Sequence, residues 1–410
     1  MSTLKVNKLR DTAGSADAIV LDPNGGAVLA GVTTVTSVKV GAAVTITESG
    51  IEASGIGITC ANINGAQIGG RRNLIINGDM RIAQRGTSST SSGYQTVDRF
   101  AYDRNGTGAA TQSQVADAPE GFKYSLKIDC TTAETSPAAN VYNLISQRFE
   151  GQNLQHIKKG TSNAQSLTAS FYVKGNAAAT YTCELRDHDN TRFNSQTFNV
   201  TTSWSRVTLT FAPDTTGAFD SDNNLSLYLF FWLSAGSDYS GGTFSSNTWH
   251  TTNANRIGDG QTNFFDSTDR TFFLTGVQLE VGSQATAFEH RSFGEELKLC
   301  ERYCETIAVG EGDGSYINNA VAYFTNQMYS IIRFRTPKRA TNPTLVQTTG
   351  TNYYRLYRRG GSVDADSFTG TSWPNIHGSA IYNSMNCTDG DAGLLGSSNS
   401  GAKLLFTSEL

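Results

Sequence analysis

Alternation of apolar and polar side chains with a period of two, repeated over many short segments, is the feature that most constrains this chain. It is clearest in residues 205–211 and 225–233, and turn clusters rich in Gly, Ser, Asp and Asn separate such segments. This period is typical of strands with one buried face. Because no helical pattern intervenes, we predict an all-β fold in which residues 73–292 form two packed antiparallel sheets, a jelly-roll β-sandwich.

Residues 272–282 are the strand around which we expect this sandwich to be organised. Its alternating apolar residues are Phe273, Val277, Leu279 and Val281. Leu274 and Gly276 interrupt the pattern, as a bend or β-bulge would. A short linking helix is predicted next, over residues 293–305, with Phe293, Leu297, Cys300 and Cys304 on one side. A short helix this apolar needs a partner, which is either the same helix of other copies or the underside of the sandwich.

The alternation predicts strands in two groups. In the jelly roll they are residues 73–76, 100–102, 124–128, 167–173, 181–185, 197–200, 206–211, 225–233 and 271–279. Residues 306–410 are predicted to form a separate C-terminal β-domain, with strands at residues 316–324, 328–334, 344–348, 353–357, 378–382 and 403–406. Polar loops rich in Gly, Ser and Asp, such as residues 388–393, are typical of an exposed tip.

Residues 28–72 alternate β-branched residues with Thr, Ser or Gly and carry few charges. One such ribbon exposes its apolar face, whereas three copies around an axis would bury it and pair the edges. We therefore predict an intertwined trimeric β-shaft, formed through Val38, Val40, Val44, Ile46, Ile56 and Ile58. A disordered linker is the alternative, although linkers rarely hold so many Val and Ile residues.

Residues 1–27 are too few and too rich in turns to build a core. Their apolar residues Leu4, Val6 and Leu9 are predicted to order on a docking partner, and the alternative is a frayed terminus. The first five residues lack the apolar segment of a signal peptide, and no run of 18 apolar residues predicts membrane insertion. Only 17% of the residues are charged and the net charge is −4. This composition argues against nucleic acid as a partner.

Six dispersed cysteines do not form the spacing of a disulfide framework or a zinc site. We predict free structural thiols in a protein made in a reducing cytoplasm. Carboxylates that a glycosidase would need are present, but they lie in turn-like surroundings where Asp bonds to the backbone. Those considered are Asp187, Asp189, Asp214, Asp220, Asp222 and Asp266. No catalytic residue, metal or cofactor is therefore predicted.

Two segments resemble those of bacteriophage fibre proteins. Residues 276–282 (GVQLEVG), leading on to 299–303 (LCERY), and residues 73–86 (NLIINGDMRIAQRG), followed by 98–100 (DRF), are similar to segments of tail-fibre and other virion fibre proteins, notably of phages of marine cyanobacteria. The second segment also resembles the opening of carbohydrate-binding jelly-roll modules. The resemblance implies a homotrimer that attaches to the virion through its N-terminus. It also implies that a structural calcium ion is possible, with Asp79 as one ligand.

Glycan binding is the function that the resemblance and the aromatic residues together favour. Sugars stack on exposed rings while polar groups bind their hydroxyls. Trp249, with Tyr239 and Phe244 in the loop at residues 236–255, and Trp373 in the C-terminal domain are the predicted contacts. For Trp249, packing within its loop is the plainer alternative. Trp204 and Trp232 lie in strand patterns and are predicted to be core residues.

The sequence thus predicts a virion tail fibre that adsorbs to a host-surface polysaccharide or lipopolysaccharide through many weak, symmetric contacts. Two alternatives stay open at this level. One is a purely structural virion component, such as a head fibre or a connector between tail and fibre. The other, from a different class, is a polysaccharide depolymerase.

Overall fold

The computed structural model describes residues 72–310 and 316–410 in full, together with the backbone of residue 315 and of eight short strands between residues 8 and 67. The chain divides into two compact units, Met1–Ala61 and Asn62–Leu410. Almost all regular structure in the described residues is antiparallel β-sheet, which confirms the predicted fold class. None of their helices is long and apolar enough to span a membrane.

The first unit contains two small antiparallel sheets. One has the order β1-β2-β3, formed by Lys8–Arg10, Asp17–Leu21 and Ala27–Leu29, and the other has the order β4-β5-β6, formed by Ser37–Val40, Val44–Thr47 and Gly50–Ala53. In the second unit, β7 (Asn62–Ile63) pairs with β8 (Ala66–Gln67). The shaft residues Val38, Val40, Val44 and Ile46 lie in β4 and β5, as their alternation predicts. The trimeric arrangement of this shaft stays a prediction.

The other residues predicted to serve attachment or the shaft have no described side chains. Leu4, Val6, Ile56 and Ile58 lie outside the described residues, and Leu9 lies in β1, of which the backbone alone is described.

Residues 73–292 form a sandwich of one five-stranded and one six-stranded sheet. The strands are β9 (Ser88–Ser89), β10 (Ala101–Arg104), β11 (Ala109–Val115), β12 (Ser125–Thr132), β13 (Tyr142–Glu150), β14 (Leu167–Gly175), β15 (Ala179–Asp187), β16 (Arg192–Val200), β17 (Ser205–Phe211), β18 (Leu225–Ala235) and β19 (Thr271–Val281). Their orders are β10-β13-β18-β15-β16 and β17-β14-β19-β12-β11-β9. One continuous apolar core, including Phe171, Phe231 and Phe272, joins the inner faces.

Short helical segments occur in the loops of this sandwich. They are the helix α1 (Ser237–Ser240) and single 3₁₀ turns at Gly151–Asn153, Gln155–Ile157, Asn253–Asn255 and Phe264–Asp266.

Strand β19 lies in the middle of the six-stranded sheet, as expected for the strand that organises the sandwich. The predicted irregularity is present, because the pairing with β14 shifts opposite Gly276, whose φ is +60°. This shift changes which side chains face the core. Phe272 and Leu274 point inward before it, and Val277 and Leu279 point inward after it. The prediction that Phe273 faces the core was therefore wrong, since a bulge reverses the alternation.

Residues 73–76 were predicted as a strand and do not form one. Their backbone groups bond mainly to side chains rather than to a neighbouring strand. The Ile75 amide donates to the Asn73 side chain at 2.9 Å, and the Ile76 amide donates to Oε1 of Gln147 at 2.8 Å. Three strands were not predicted from the alternation. Strand β9 has only two residues, and β11 and β13 are rich in Gln, Ser and Asn, which hides their period.

Helix α2 (Phe293–Glu301) begins with a capping box, in which Ser292 and Glu295 bond to each other's backbone. It ends four residues before the predicted boundary at residue 305. Residues from Cys304 onward instead pair with Thr407 and its neighbours, so a strand replaces the last turn. The helix packs on Ile76 and Ile82 of the jelly roll through Cys300, which is the plainer of the two predicted arrangements. Phe293, predicted on the same side, is 57% exposed.

The C-terminal domain has a second sandwich with its own core. Its strands are β20 (Cys304–Val309), β21 (Ser315–Phe324), β22 (Gln327–Arg333), β23 (Thr344–Gln347), β24 (Tyr354–Arg358), β25 (Gly361–Ala365), β26 (Gly370–Asn375), β27 (Gly378–Asn383), β28 (Ala392–Ser397) and β29 (Lys403–Thr407). The sheets have the orders β20-β29-β23 and β25-β24-β28-β21-β22-β27-β26. The six predicted strands are all present. Strands β20, β25, β26 and β28 were missed, and the last three are rich in Gly and Ser.

The last residues of the chain contact the jelly roll through a cluster of arginines. Glu409 pairs with Arg85 at 2.9 Å and also with Arg99. The backbone oxygen of Leu410 accepts a hydrogen bond from Arg148. These contacts connect the C-terminal domain to the sandwich at a point distant in sequence.

Candidate functional site

The outer surface of the sheet β10-β13-β18-β15-β16 carries a row of charged and aromatic side chains. In β18, Leu227, Leu229 and Phe231 are buried in the core, so the residues between them point outward. Tyr228 is one of these, and the strand register places it directly between Arg148 of β13 and Arg186 of β15. We call this row, with the neighbouring His188, the jelly-roll face.

The two guanidinium groups flank the Tyr228 ring. The Cζ atom of Arg148 lies 5.6 Å from the ring centroid and that of Arg186 lies 5.2 Å from it. The exposed imidazole of His188 lies 5.9 Å from the same centroid, edge to face. Tyr228 and Arg186 are half-buried, so each keeps a surface in contact with solvent. The face therefore offers a tyrosine ring with hydrogen-bond donors on both sides.

Next to this row, the same surface of the sheet is covered by the loop at residues 236–257. Trp232, which is 1% exposed, and Phe230 lie under Ile257 and Tyr239. The cover is held by Arg256, whose guanidinium donates to Glu184 at 2.6 and 2.9 Å. Breaking a buried ion pair of this kind costs several kcal/mol, roughly 3–5. The loop thus closes one part of the sheet and leaves the Tyr228 row open.

Within the fully described residues, no hydrogen bond or ion pair is found for the half-buried guanidinium of Arg186. Its Nε atom is buried and lacks a partner. Burial, and then the nearby Arg256, lower the pKa of Arg186. Arg148 differs, since it donates to Asp103 at 3.2 Å and to the Leu410 oxygen. A buried, unpaired donor on a guanidinium is costly, and an anionic or strongly polar ligand would relieve that cost.

Trp249 and Tyr239, both predicted to bind a glycan, are engaged in packing. The Trp249 indole N–H donates to the Ala212 carbonyl at 2.7 Å, and its ring packs on the core. The Lys159 ammonium lies 5.6 Å from the Trp249 ring. Tyr239 contacts the Trp232 ring at a centroid distance of 5.2 Å but stays half-exposed at the margin of the jelly-roll face. For Trp249 the geometry is that of loop packing, the alternative left open by the sequence.

The other two tryptophans were predicted to be core residues. Trp232 is buried, beneath the loop that Arg256 holds. Trp204 is half-buried on the outer surface of the second sheet, where its indole donates to Asp117 at 3.1 Å. It also contacts Phe273, the residue that the bulge turns outward.

Trp373 is 68% exposed on the seven-stranded sheet of the C-terminal domain. Its ring stacks on Tyr329 at a centroid distance of 5.7 Å, and Tyr329 stacks on Tyr382 at 5.5 Å. Trp373 is thus available for contact with a partner. Its neighbours include the exposed apolar residues Ile331 and Leu394 together with Asn318 and Asn319.

Asp79, named as a possible calcium ligand, has its two carboxylate oxygens in different surroundings. One carboxylate oxygen pairs with Arg81, a cation that would repel Ca²⁺. The other oxygen is buried and lacks a partner. Within the described residues, no group of three or more His, Cys, Asp and Glu side chains is placed to hold a metal. Calcium takes six to eight oxygen ligands, which include backbone carbonyls and water, so a calcium ion at Asp79 stays a prediction.

Five of the six carboxylates considered for catalysis are held in structural contacts, and the sixth, Asp220, is exposed. Asp187 and Asp214 both pair with the buried Lys159, at 2.6 and 3.1 Å. Burial opposes ionisation of Asp214, but hydrogen bonds from Arg192, Thr216 and Lys159 outweigh it, so the pKa of Asp214 is lowered. Three further carboxylates serve turns or local ion pairs. They are Asp189, which accepts from the Asp220 amide, Asp222, which accepts from the Asn224 amide, and Asp266, which pairs with Arg270.

Sequence reasoning missed Tyr228, Arg148 and Arg186. The alternation in residues 225–233 does place Tyr228 on the face opposite Leu227 and Leu229, which is a usable signal. Its arginine neighbours depend on the register of three strands that are distant in sequence. No local pattern encodes that register.

Comparison with known proteins gives structural likenesses alone. No protein-family model and no curated protein matches the chain. Similar solved structures include a CBM4 carbohydrate-binding module (13% identity, 50% of this chain and 97% of that chain, TM-score 0.27). Another is the enzymatically active domain of bacteriophage CBA120 tailspike protein 4 (11% identity, 51% of this chain and 21% of that chain, TM-score 0.27).

A third is a family 11 carbohydrate-binding module of Clostridium thermocellum in complex with a β-1,3-1,4-mixed-linked tetrasaccharide (10% identity, 50% of this chain and 98% of that chain, TM-score 0.25). All of these TM-scores are far too low for the likenesses to carry a functional argument.

Proposed function

We propose that this chain is a bacteriophage virion fibre protein that forms a homotrimer and binds a glycan of the host surface through its jelly-roll face. The observation that carries the binding part is the Arg148–Tyr228–Arg186 row, in which a half-exposed ring lies between two guanidinium groups. The fibre part is supported by the likeness of residues 73–86 and 276–303 to phage fibre proteins and by the short paired strands between residues 37 and 53.

The geometry indicates how a sugar would be held. The apolar face of a pyranose would stack on the exposed side of Tyr228. The Arg186 donors would bind a hydroxyl or, more favourably, an anionic substituent, because a charge-assisted hydrogen bond is roughly twice as strong as a neutral one. We therefore propose an acidic saccharide, carrying carboxylate, sulfate or phosphate, as the preferred ligand. A single site of this size binds weakly, and three copies in one fibre would supply avidity.

Within this proposal, the first 27 residues, including Leu4, Val6 and Leu9, dock on a virion protein, and residues 28–72 form the trimeric shaft. The role is one of binding rather than catalysis, in keeping with the engagement of Asp187, Asp214 and Asp266 in ion pairs. The protein would be made in the host cytoplasm and would function in the virion.

The test is to measure binding of the purified chain to immobilised bacterial polysaccharides, including alginate as a polyuronate and dextran as a neutral glucan. We expect retention on acidic chains. Arg186→Met should weaken it about tenfold or more, since a hydrogen bond to a charged group contributes about 1.5–3 kcal/mol. Lys123→Met is the matched control, because that ammonium also lies over a tyrosine ring, at 5.0 Å, but next to the other sheet.

Two results would contradict the proposed binding site. One is equal affinity for acidic and neutral chains, and the other is equal binding by the Arg186 and Lys123 variants. Release of reducing sugar during incubation would favour the depolymerase instead. Absence of binding to any host polysaccharide, with a trimeric mass, would favour the purely structural virion component.

A further inference from the structure

The seven-stranded sheet of the C-terminal domain has one face covered by its own core and one face that is strongly apolar and open. We call the open side the C-terminal face. Its exposed apolar residues are Tyr316, Val321, Tyr323, Ile331, Trp373 and Leu394, with exposed fractions of 61, 43, 58, 63, 68 and 42%. They come from strands β21, β22, β26 and β28, which lie within one sheet. In the described residues outside this face, Phe293, Val309 and Val346 are exposed singly, and Phe324 at the end of β21 is exposed with its ring centroid 4.8 Å from that of Tyr323.

The size of this face indicates what covers it. A whole aromatic side chain presents about 150–250 Å², so these six fractions amount to roughly 600 Å². This value lies at the upper limit of apolar patches on soluble monomers. It approaches the ~800 Å² that each partner contributes to a stable protein interface. A face of this kind, left open on every chain, would promote aggregation.

Several polar groups around the face are paired within the chain. Asn318 donates its side-chain amide to the Ile331 carbonyl. At the margin, Arg355 pairs with Asp364 at 2.5 Å, and Arg358 pairs with Asp391. The centre is therefore apolar, and these two ion pairs lie at its margin. An apolar centre with a polar margin is the composition of a protein interface.

The shape of the C-terminal face is also suited to contact with a second copy of the chain. A groove of about 890 Å³ crosses it, with a floor that includes Ala320, Ala380 and Gly393. Trp373 and Ile331 project beside that groove. The backbone at Trp373 is held at a φ of +51°, which costs a residue with a side chain about 1–3 kcal/mol. Projecting rings and a floor of small residues on the same surface are complementary when that surface meets another copy.

We propose that the C-terminal face is the surface through which copies of this chain associate, so that each covers the apolar sheet of another. This inference rests on the self-association included in the proposed function, and it is separate from the glycan site. The partner is a second copy because a permanent apolar face needs a partner that is present whenever the chain is made. The jelly-roll face, on another domain, stays free for ligand.

The test uses the purified chain of 410 residues with no other protein present, so that only copies of this chain or its own residues can cover the C-terminal face. Ile331→Cys places a thiol on the C-terminal face, and Val346→Cys places one outside it at an exposed site, both in a Cys60→Ser background. The five described native cysteines are buried. We expect the thiol at 331 to react with a fluorescent maleimide at least tenfold more slowly than the thiol at 346, and native mass spectrometry to show an oligomer.

A second pair of variants tests the same surface without a thiol. Leu394 and Val346 are 42% and 43% exposed, so Leu394→Lys and Val346→Lys add the same charge at equal exposure. In the Leu394→Lys chain, the thiol at 331 should react at least fivefold faster than in the parent, whereas Val346→Lys should leave its rate unchanged. Circular dichroism establishes that both variants keep their sheet.

Three outcomes would overturn the inference. The first is a thiol at 331 that reacts as fast as the control. The second is slow reaction in a monomeric chain, which would assign the cover to the chain's own first 71 residues. The third is equal behaviour of the two lysine variants. Glycan binding is measured separately, so a chain that binds acidic polysaccharide but leaves position 331 accessible retains the proposed function and loses this inference.

Discussion

The contact between Glu409 and the arginine cluster yields the sharpest stability prediction. The Arg99 side chain is 1% exposed and that of Glu409 is 10% exposed, so the pair is almost fully removed from water. Arg99 also donates to the Arg148 carbonyl at 2.7 Å and lies 3.4 Å from the Tyr303 ring centroid. Its Nε atom is buried without a partner. The guanidinium therefore depends on Glu409 for charge compensation.

Replacing Glu409 with Ala would leave Arg99 buried and uncompensated. Removing one member of such a pair costs about 3–5 kcal/mol. For a unit of this size we expect the thermal midpoint to fall by roughly 5–15 °C. Glu409→Gln keeps an acceptor oxygen without the charge, so its cost should be about half. Glu120→Ala, at an exposed carboxylate, is the control and should change the free energy of unfolding by less than about 0.5 kcal/mol.

Urea unfolding followed by circular dichroism, at one fixed protein concentration, measures these differences. A double-mutant cycle with Arg99→Met isolates the pair, and its coupling energy should lie at about 1–3 kcal/mol. The reasoning is refuted if Glu409→Ala unfolds within about 1 kcal/mol of the parent, or if the two substitutions are additive. Either result would mean that water or another group compensates Arg99.

Two further predictions test the bulge and a buried carboxyl. Gly276→Ala should destabilise the folded protein by about 1–3 kcal/mol in a thermal scan, because φ is +60° and the new Cβ would lie 2.8 Å from Phe122. Gly294→Ala is the control and should be neutral or slightly stabilising, because a Cβ there meets open space in helix α2. Equal effects of the two substitutions would contradict the assignment of a strained bulge. Burial raises the pKa of Asp98 from its ordinary 3.8 to about 6, although Arg85 and Gln84 oppose the shift. The native state therefore favours the protonated form, so this group's contribution to stability is fully present below pH 4 and is lost as the pH rises through 6, by about 3 kcal/mol in all. The free energy of unfolding of Asp98→Asn, relative to the parent, should accordingly improve by about that amount between pH 4 and pH 7, and a difference that does not change with pH would contradict it.

The general architecture of this chain was predictable because strand alternation is a local property. Residues 205–211 and 225–233 reveal their two faces within a few positions, and nearly all such segments are strands in the structure. The exceptions have physical causes. Residues 73–76 bond their backbone to side chains, and polar strands such as β13 conceal their period behind Gln, Ser and Asn.

The outcome for the aromatic residues was decided by tertiary contacts. In the sequence, Trp249 and Trp373 are both large rings in polar surroundings, so the sequence does not distinguish a buried ring from an exposed one. In the structure, Trp249 is held by the Ala212 carbonyl and the core, whereas Trp373 projects from an apolar sheet. Which ring is free depends on what the loops at residues 236–257 and 370–375 contact, and those contacts join residues far apart in the chain.

Sequence alone determined that this protein is built from antiparallel strands, that residues 272–282 contain one of them, and that its pattern is interrupted near Gly276. Each of these follows from side-chain period and from the freedom of glycine, which act over a few residues. Tertiary structure alone decided that Tyr228 lies between Arg148 and Arg186 and that six apolar residues share one open face. Register between strands distant in sequence places those groups together, and register depends on the packing of the whole sandwich.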